Sequence, residues 1–266
     1  MEFATSRDGT RIAYERRGSG PALILVDGAL GHRAFNPLGA ALADLLQDSA
    51  TVYTYDRRGR GDSGDSAPYA VGREVEDLDA LVHAAGGRAR LFGLSSGAVL
   101  ALEAAAHGLA VEALALYEPP FIVDASRPPL PPDYAVRVGA LAAQGRRAEA
   151  VEYFMTAAVG LPSEFLAPMR EDPSFAQMEQ VAHTLAYDAA VMGGTMSGVP
   201  LPAHRWAAVR APVLVADGGK SEHFFADAAD ALAAVLHDVR RTTLQGQGHD
   251  VDPRVLAPVL RDFFGR

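Results

Sequence analysis

The chain has 266 residues, 49% apolar and 21% charged, which suits one large domain or a core with a small insert and excludes a disordered chain. A net charge of −9 argues against nucleic acid and anionic membranes as partners, and the absence of cysteine excludes disulfides, thiolate metal sites and a cysteine nucleophile. The first residues lack a basic segment followed by an apolar one, and no apolar run reaches the length of a membrane span, so a soluble, cytoplasmic protein is expected.

In chain order, Glu2 to Thr5 and Arg11 to Arg16 read as a hairpin around Asp8-Gly9. Ala22 to Val26 is wholly apolar, as a strand buried on both faces of a parallel sheet would be. The glycine-bearing loop Asp27-Gly28-Ala29-Leu30-Gly31-His32 follows, then an amphipathic helix over Pro37 to Gln47. Thr51 to Tyr55 is the next strand and Glu74 to Ala85 the next helix. Strands at Ala89 to Phe92 and Val111 to Tyr117 flank a helix-forming run, Ala98 to Ala106. This alternation implies right-handed crossovers and a mostly parallel, doubly wound α/β sheet.

The rhythm breaks at Glu118-Pro119-Pro120. Arg127-Pro128-Pro129-Leu130-Pro131-Pro132 is a stiff connector. From Asp133 to about Ala208 the pattern is helical only, with helices expected at 133–144, 147–159, 163–170, 173–192 and 202–208. Helix inserted between two strands suggests a lid over the sheet's C-terminal edge. The alternation then resumes with a strand at Pro212 to Ala216, a helix at Glu222 to Leu236, a strand at Val239 to Leu244 and a last helix at Pro253 to Phe264. Residues 1–122 and 206–266 thus read as the core, and 123–205 as a helical cap.

Gly93-Leu94-Ser95-Ser96-Gly97 is the stretch that carries chemistry. A strand leads into it and a helix leaves it, with a serine at the apex. The turn forces its central residue into strained geometry, so its neighbours must be small. The following helix aims its free N–H groups and positive dipole end at the same point. A nucleophile that becomes an anionic adduct needs that environment.

Taken with three other segments, this stretch resembles the α/β-hydrolase family over the whole chain. Leu25-Val26-Asp27-Gly28 looks like the family's strand-to-oxyanion loop. Asp56-Arg57-Arg58-Gly59-Arg60-Gly61-Asp62-Ser63 is similar to its Asp-x-Arg-Gly-x-Gly-x-Ser turn. Gly246-Gln247-Gly248-His249 is similar to its histidine loop. Joint order and spacing make the resemblance specific.

The resemblance implies a Ser-His-acid triad with Ser95 as nucleophile and His249 as base. The acid has three candidates. Lining up Gly218 with the family's usual pattern puts Ser221 where the acid most often stands, and serine cannot hold an imidazolium. Glu222 and Asp217 are near enough to substitute. A second arrangement, known in haloalkane dehalogenases, takes the acid after the strand that follows the nucleophile, which is Glu118 here; Glu118 is favoured. The oxyanion hole would use the N–H groups of Ala29 and Ser96. Asp27 departs from the family's usual His-Gly. It is read first as a turn-forming residue, with a loop tie or repulsion of an anionic substrate as alternatives. His32 is read as a pocket or a surface residue.

Methionines at 155, 169, 178, 192 and 196, with Phe154, Phe165 and Tyr187, fit core packing of the cap, and some could face an apolar substrate. The expected activity is hydrolysis of an ester or related carbonyl compound, a small and apolar molecule, through an acyl-enzyme. The alternatives are carbon–carbon bond or thioester hydrolysis or perhydrolysis by the same triad, and a non-catalytic ligand-binding protein on this fold. Nothing in the sequence demands a metal or an organic cofactor.

Overall fold

A computed structural model describes residues 1–265. Glu2–Thr5 (β1) and Arg11–Gly18 (β2) form the expected hairpin, which leads antiparallel into the sheet. Ala22–Val26 (β3), Thr51–Tyr55 (β4), Ala89–Leu94 (β5), Val111–Tyr117 (β6), Val213–Gly218 (β7) and Val239–Leu244 (β8) follow, all parallel to one another. The eight strands lie in the order β1-β2-β4-β3-β5-β6-β7-β8.

Period-two alternation fills both faces of this sheet. Leu23 and Leu25 of β3, with Ala115 and Tyr117 of β6, face a layer made by helices Pro37–Leu46 (α1) and Pro253–Phe264 (α10). Ile24, Val26, Leu114 and Leu116 face the opposite layer, from Val71–Ala84 (α2), Ser96–Ala106 (α3) and His223–Val235 (α9). Wholly apolar strands are the consequence of helices on both sides. Helix α2 begins one turn before the expected Glu74. No helix among the described residues is long and apolar enough to cross a membrane.

Between β6 and β7 the chain is helical: Tyr134–Ala143 (α4), Arg147–Tyr153 (α5), Leu166–Glu171 (α6), Ser174–Val181 (α7) and Leu185–Met192 (α8). These pack around their own apolar cluster, to which Leu30 of the core also belongs. Two expectations differ here. The single helix over 173–192 is interrupted at Ala182–Thr184, where the buried Thr184 hydroxyl donates to the Val181 carbonyl at 2.8 Å and accepts from Arg60 at 3.1 Å. The stretch 202–208 forms turns rather than a helix. It is fixed instead by side chains on Glu103 of α3, which accepts from Arg205 Nε and from the indole N–H of the buried Trp206, both at 2.8 Å.

Candidate active site

Ser95 stands between β5 and α3 with φ 56° and ψ −127°, a conformation an L residue holds only when its surroundings impose it. The imposition is visible on both sides. A Cβ on Gly93 would sit 2.5 Å from the Ala98 Cα, and one on Gly97 would run into the Val26 carbonyl. Only glycine lets the turn close this tightly against the end of β3. The Ser95 N–H donates to the Tyr117 carbonyl at 2.9 Å, which ties the turn to β6.

That carbonyl belongs to the residue before Glu118. Glu118 is fully buried and also holds a positive φ, 49°. Its Oε1 accepts the Gly218 N–H at 2.7 Å, and its Oε2 lies 2.6 Å from His249 Nδ1. A carboxylate only accepts, so Nδ1 carries a proton, and in a neutral imidazole this tautomer leaves the Nε2 lone pair free. His249 follows β8 in the loop expected, and its imidazole stacks on Phe225 with ring centroids 5.1 Å apart. The Tyr117 hydroxyl donates to the Gly248 carbonyl at 2.7 Å and holds that loop against β6.

The other two acids are elsewhere. Asp217 is buried but accepts from Arg241 at 2.5 Å and from Thr243 at 2.8 Å. Glu222 is exposed at the N-terminus of α9 and lines the same cavity as His249 without bonding to it.

Gly28 lies directly against Ser95, since a Cβ there would be 3.0 Å from the Ser95 Cβ. This brings the next residue, Ala29, to the same cavity as Ser95, Ser96 and His249. Ser96 opens α3, so its N–H has no intrahelical acceptor. Asp27 ties its loop to α1: Asn36 donates to it at 2.7 Å and caps α1 with its other amide atom. Burial pushes the Asp27 carboxyl up to about 6, against the opposing pull of Asn36, Arg60 and Arg57. His32 is neither a pocket nor a surface residue. It is 8% exposed, stacks on Phe35 and is not in the cavity wall; burial lowers its pKa.

A buried charge network under the turn escaped the sequence reading. Arg57 grips Glu74 with two bonds of 2.7 and 2.8 Å and reaches Asp188 of α8 at 2.7 Å. Arg60 reaches the other Asp188 oxygen at 2.7 Å and also donates to the Gly28 carbonyl at 2.5 Å. The Ser96 hydroxyl donates to Asp188 at 2.7 Å. Burial alone would raise the Asp188 carboxyl, but the two guanidiniums outweigh it and hold it below its ordinary value. The helical insertion is thereby bonded to the Ser95 turn and to the loop of Gly28. The available signal was a single acid, Asp188, inside the apolar run Leu185–Met192.

Ser95 and His249 open on a cavity of about 790 Å³. The core supplies its polar floor. The insertion supplies apolar walls that include Tyr134, Phe154, Met155, Met192 and Met196. Of the expected methionines, 169 and 178 pack in the insertion's own cluster.

Comparison with known proteins agrees with this architecture. An α/β-hydrolase crystal structure from Sphaerobacter thermophilus DSM 20745 is 52% identical, covers 99% of this chain and 100% of that one, and superposes with a TM-score of 0.91. Two more distant structures share the fold. A thermophilic esterase from Thermogutta terrifontis is 20% identical, with 99% and 97% of the chains covered and a TM-score of 0.73. The enol-lactonase from Burkholderia xenovorans LB400 is 20% identical, with both chains covered at 100% and a TM-score of 0.69. The sequence model of the alpha/beta hydrolase family matches residues 17–259, and the chain belongs to that family.

Proposed function

We propose that the protein is a serine hydrolase that cleaves an ester of a small, largely apolar molecule through an acyl-enzyme. The observation that carries this reading is the 2.6 Å pair of His249 and the buried Glu118, opening on the same cavity as the strained Ser95. In this reading His249 Nε2 takes the Ser95 proton as Oγ attacks the substrate carbonyl. Glu118 stays ionised and stabilises the imidazolium. The carbonyl oxygen becomes an oxyanion facing the N–H groups of Ala29 and Ser96, each donor lowering the barrier by roughly 3 kcal/mol. His249 then protonates the leaving alcohol. Water, deprotonated by His249, attacks the acyl-enzyme, and the carboxylate product leaves with Ser95 restored. Every proton is handled by His249, and the scheme asks for no metal or organic cofactor. Residues 123–205 act as a cap that shields the acyl-enzyme from bulk water.

The test is intact mass after exposure to a fluorophosphonate, for wild type and Ser95→Ala. A single adduct on wild type alone is expected, followed by turnover on an ester and thioester panel. Absence of an adduct on either protein would sink the hydrolase reading in favour of a ligand-binding member of the fold.

A further inference from the structure

The cavity walls are mostly apolar, and among the described lining residues Arg127 is the one arginine or lysine. Arg127 leaves the stiff proline connector and enters the cavity wall half-buried. Its guanidinium lies over the Phe224 ring, 4.3 Å from the centroid, and Nη2 donates to the Ala158 carbonyl at 2.8 Å. It forms no ion pair among the described residues, and most of its donor fork is uncommitted. Burial draws its pKa below the ordinary guanidinium value, and Glu222 opposes this only from beyond ion-pair contact. The fully buried guanidiniums beneath the Ser95 turn differ: Arg57 and Arg60 are saturated by Asp188, Glu74 and carbonyls. Space is kept open beside Arg127 as well. A Cβ on Gly160 would stand 2.8 Å from Nη2.

We propose that Arg127 is a substrate-recognition residue and that the cavity takes a carboxylate-bearing ester, its anionic end on Arg127 and its reacting carbonyl at Ser95. This inference rests on the hydrolase reading for its reaction and adds the substrate class. A planar fork matches a carboxylate with two parallel bonds, and one cation balances one charge, which favours a carboxylate over a phosphate dianion. The acids on the same wall do not oppose it. Asp188 is neutralised by two arginines, while Glu222 and Asp250 are exposed and screened by water and salt. The apolar walls would hold the methylene chain between the two ends.

The experiment measures kcat/KM for p-nitrophenyl monoesters of succinate, glutarate and adipate, each against a neutral ester in which an isopropyl group replaces the carboxylate. At least one chain length is expected to favour the anionic member. Arg127→Gln should lower that anionic-to-neutral ratio by about 10- to 100-fold, mainly through KM, and Arg127→Lys should restore part of it. A general loss of rate that leaves the ratio unchanged would make Arg127 a mere strap between connector and insertion and overturn the proposal. So would a wild-type preference for the neutral members at every length. Should no ester turn over and no fluorophosphonate adduct form, the hydrolase reading fails by itself. Thermal shift with glutarate and adipate then decides: saturable stabilisation of wild type that is lost in Arg127→Gln upholds the carboxylate site, and no stabilisation overturns it.

Discussion

Glu118 Oε2 lies 2.6 Å from His249 Nδ1, although the two residues are separated by 131 positions and Glu118 follows β6 rather than β7. The strand order makes this possible, because β6 lies between β5, which leads into Ser95, and β7. Glu118→Gln keeps the shape but can present its amide N–H to Nδ1, which favours the wrong tautomer. A loss of about 10³- to 10⁴-fold in kcat is expected. Glu222→Gln should stay within about twofold of wild type, since the exposed carboxylate bonds nothing at the site. Ester kinetics on the two variants check the assignment; the reverse order of effects would move the acid to Glu222.

Asp188→Ala should be among the most destabilising single changes in the molecule. It leaves Arg57 and Arg60 buried with an uncompensated charge between them, at a cost of about 3–5 kcal/mol. Ser96→Ala removes one hydrogen bond from the same oxygen and should cost only about 1 kcal/mol. Urea denaturation of the two variants tests the ranking. Equal midpoints would show that the network is not held through Asp188.

How far the sequence disclosed this site depended on where each interaction lies. The strands were legible because both sheet faces are covered, which makes Ala22–Val26 and Val111–Tyr117 nearly continuous apolar runs. The tight turn at Ser95 was legible because its constraint is local: Gly93 and Gly97 answer to atoms within a few residues or on the adjacent strand. The Asp188 bonds were hidden, since they join positions 57, 60, 96 and 188 through folding of the insertion onto the core. The 202–208 stretch misled for the same reason. Its helical composition is overridden by two side-chain bonds to Glu103, a hundred residues earlier. His32 reads as a pocket or a surface residue because spacing alone does not show the stack on Phe35, against which it is buried.

Gly97→Ala is a steric test of the turn. The added methyl would overlap the Val26 carbonyl and crowd the Asp27 backbone, both on the strand end that feeds the Ala29 loop. Because the obstacle is backbone, it has no rotamer to yield. A cost of at least about 2 kcal/mol is expected, with loss of fluorophosphonate labelling even in the folded fraction. Normal labelling at normal stability would show that the turn has slack that its geometry does not display.

Asp27 makes stability depend on pH through the loop that carries Ala29. Burial raises its carboxyl from an ordinary 3.8 to about 6. A raised acid is held better protonated than ionised, so the folded state binds the proton more tightly than the unfolded chain. The stabilisation from this group is therefore fully present below about pH 3.8 and is lost as pH rises through about 6. Asp27→Asn keeps an oxygen for the Asn36 amide and cannot ionise. The variant should match wild type near pH 4 and melt higher at pH 7 to 8, by about 2–4 °C for each kcal/mol relieved. Melting curves for both proteins across this range provide the check. A variant that loses stability at pH 7.5 would mean that the Asp27 charge is wanted there, held by Arg57 and Arg60 more strongly than burial opposes it.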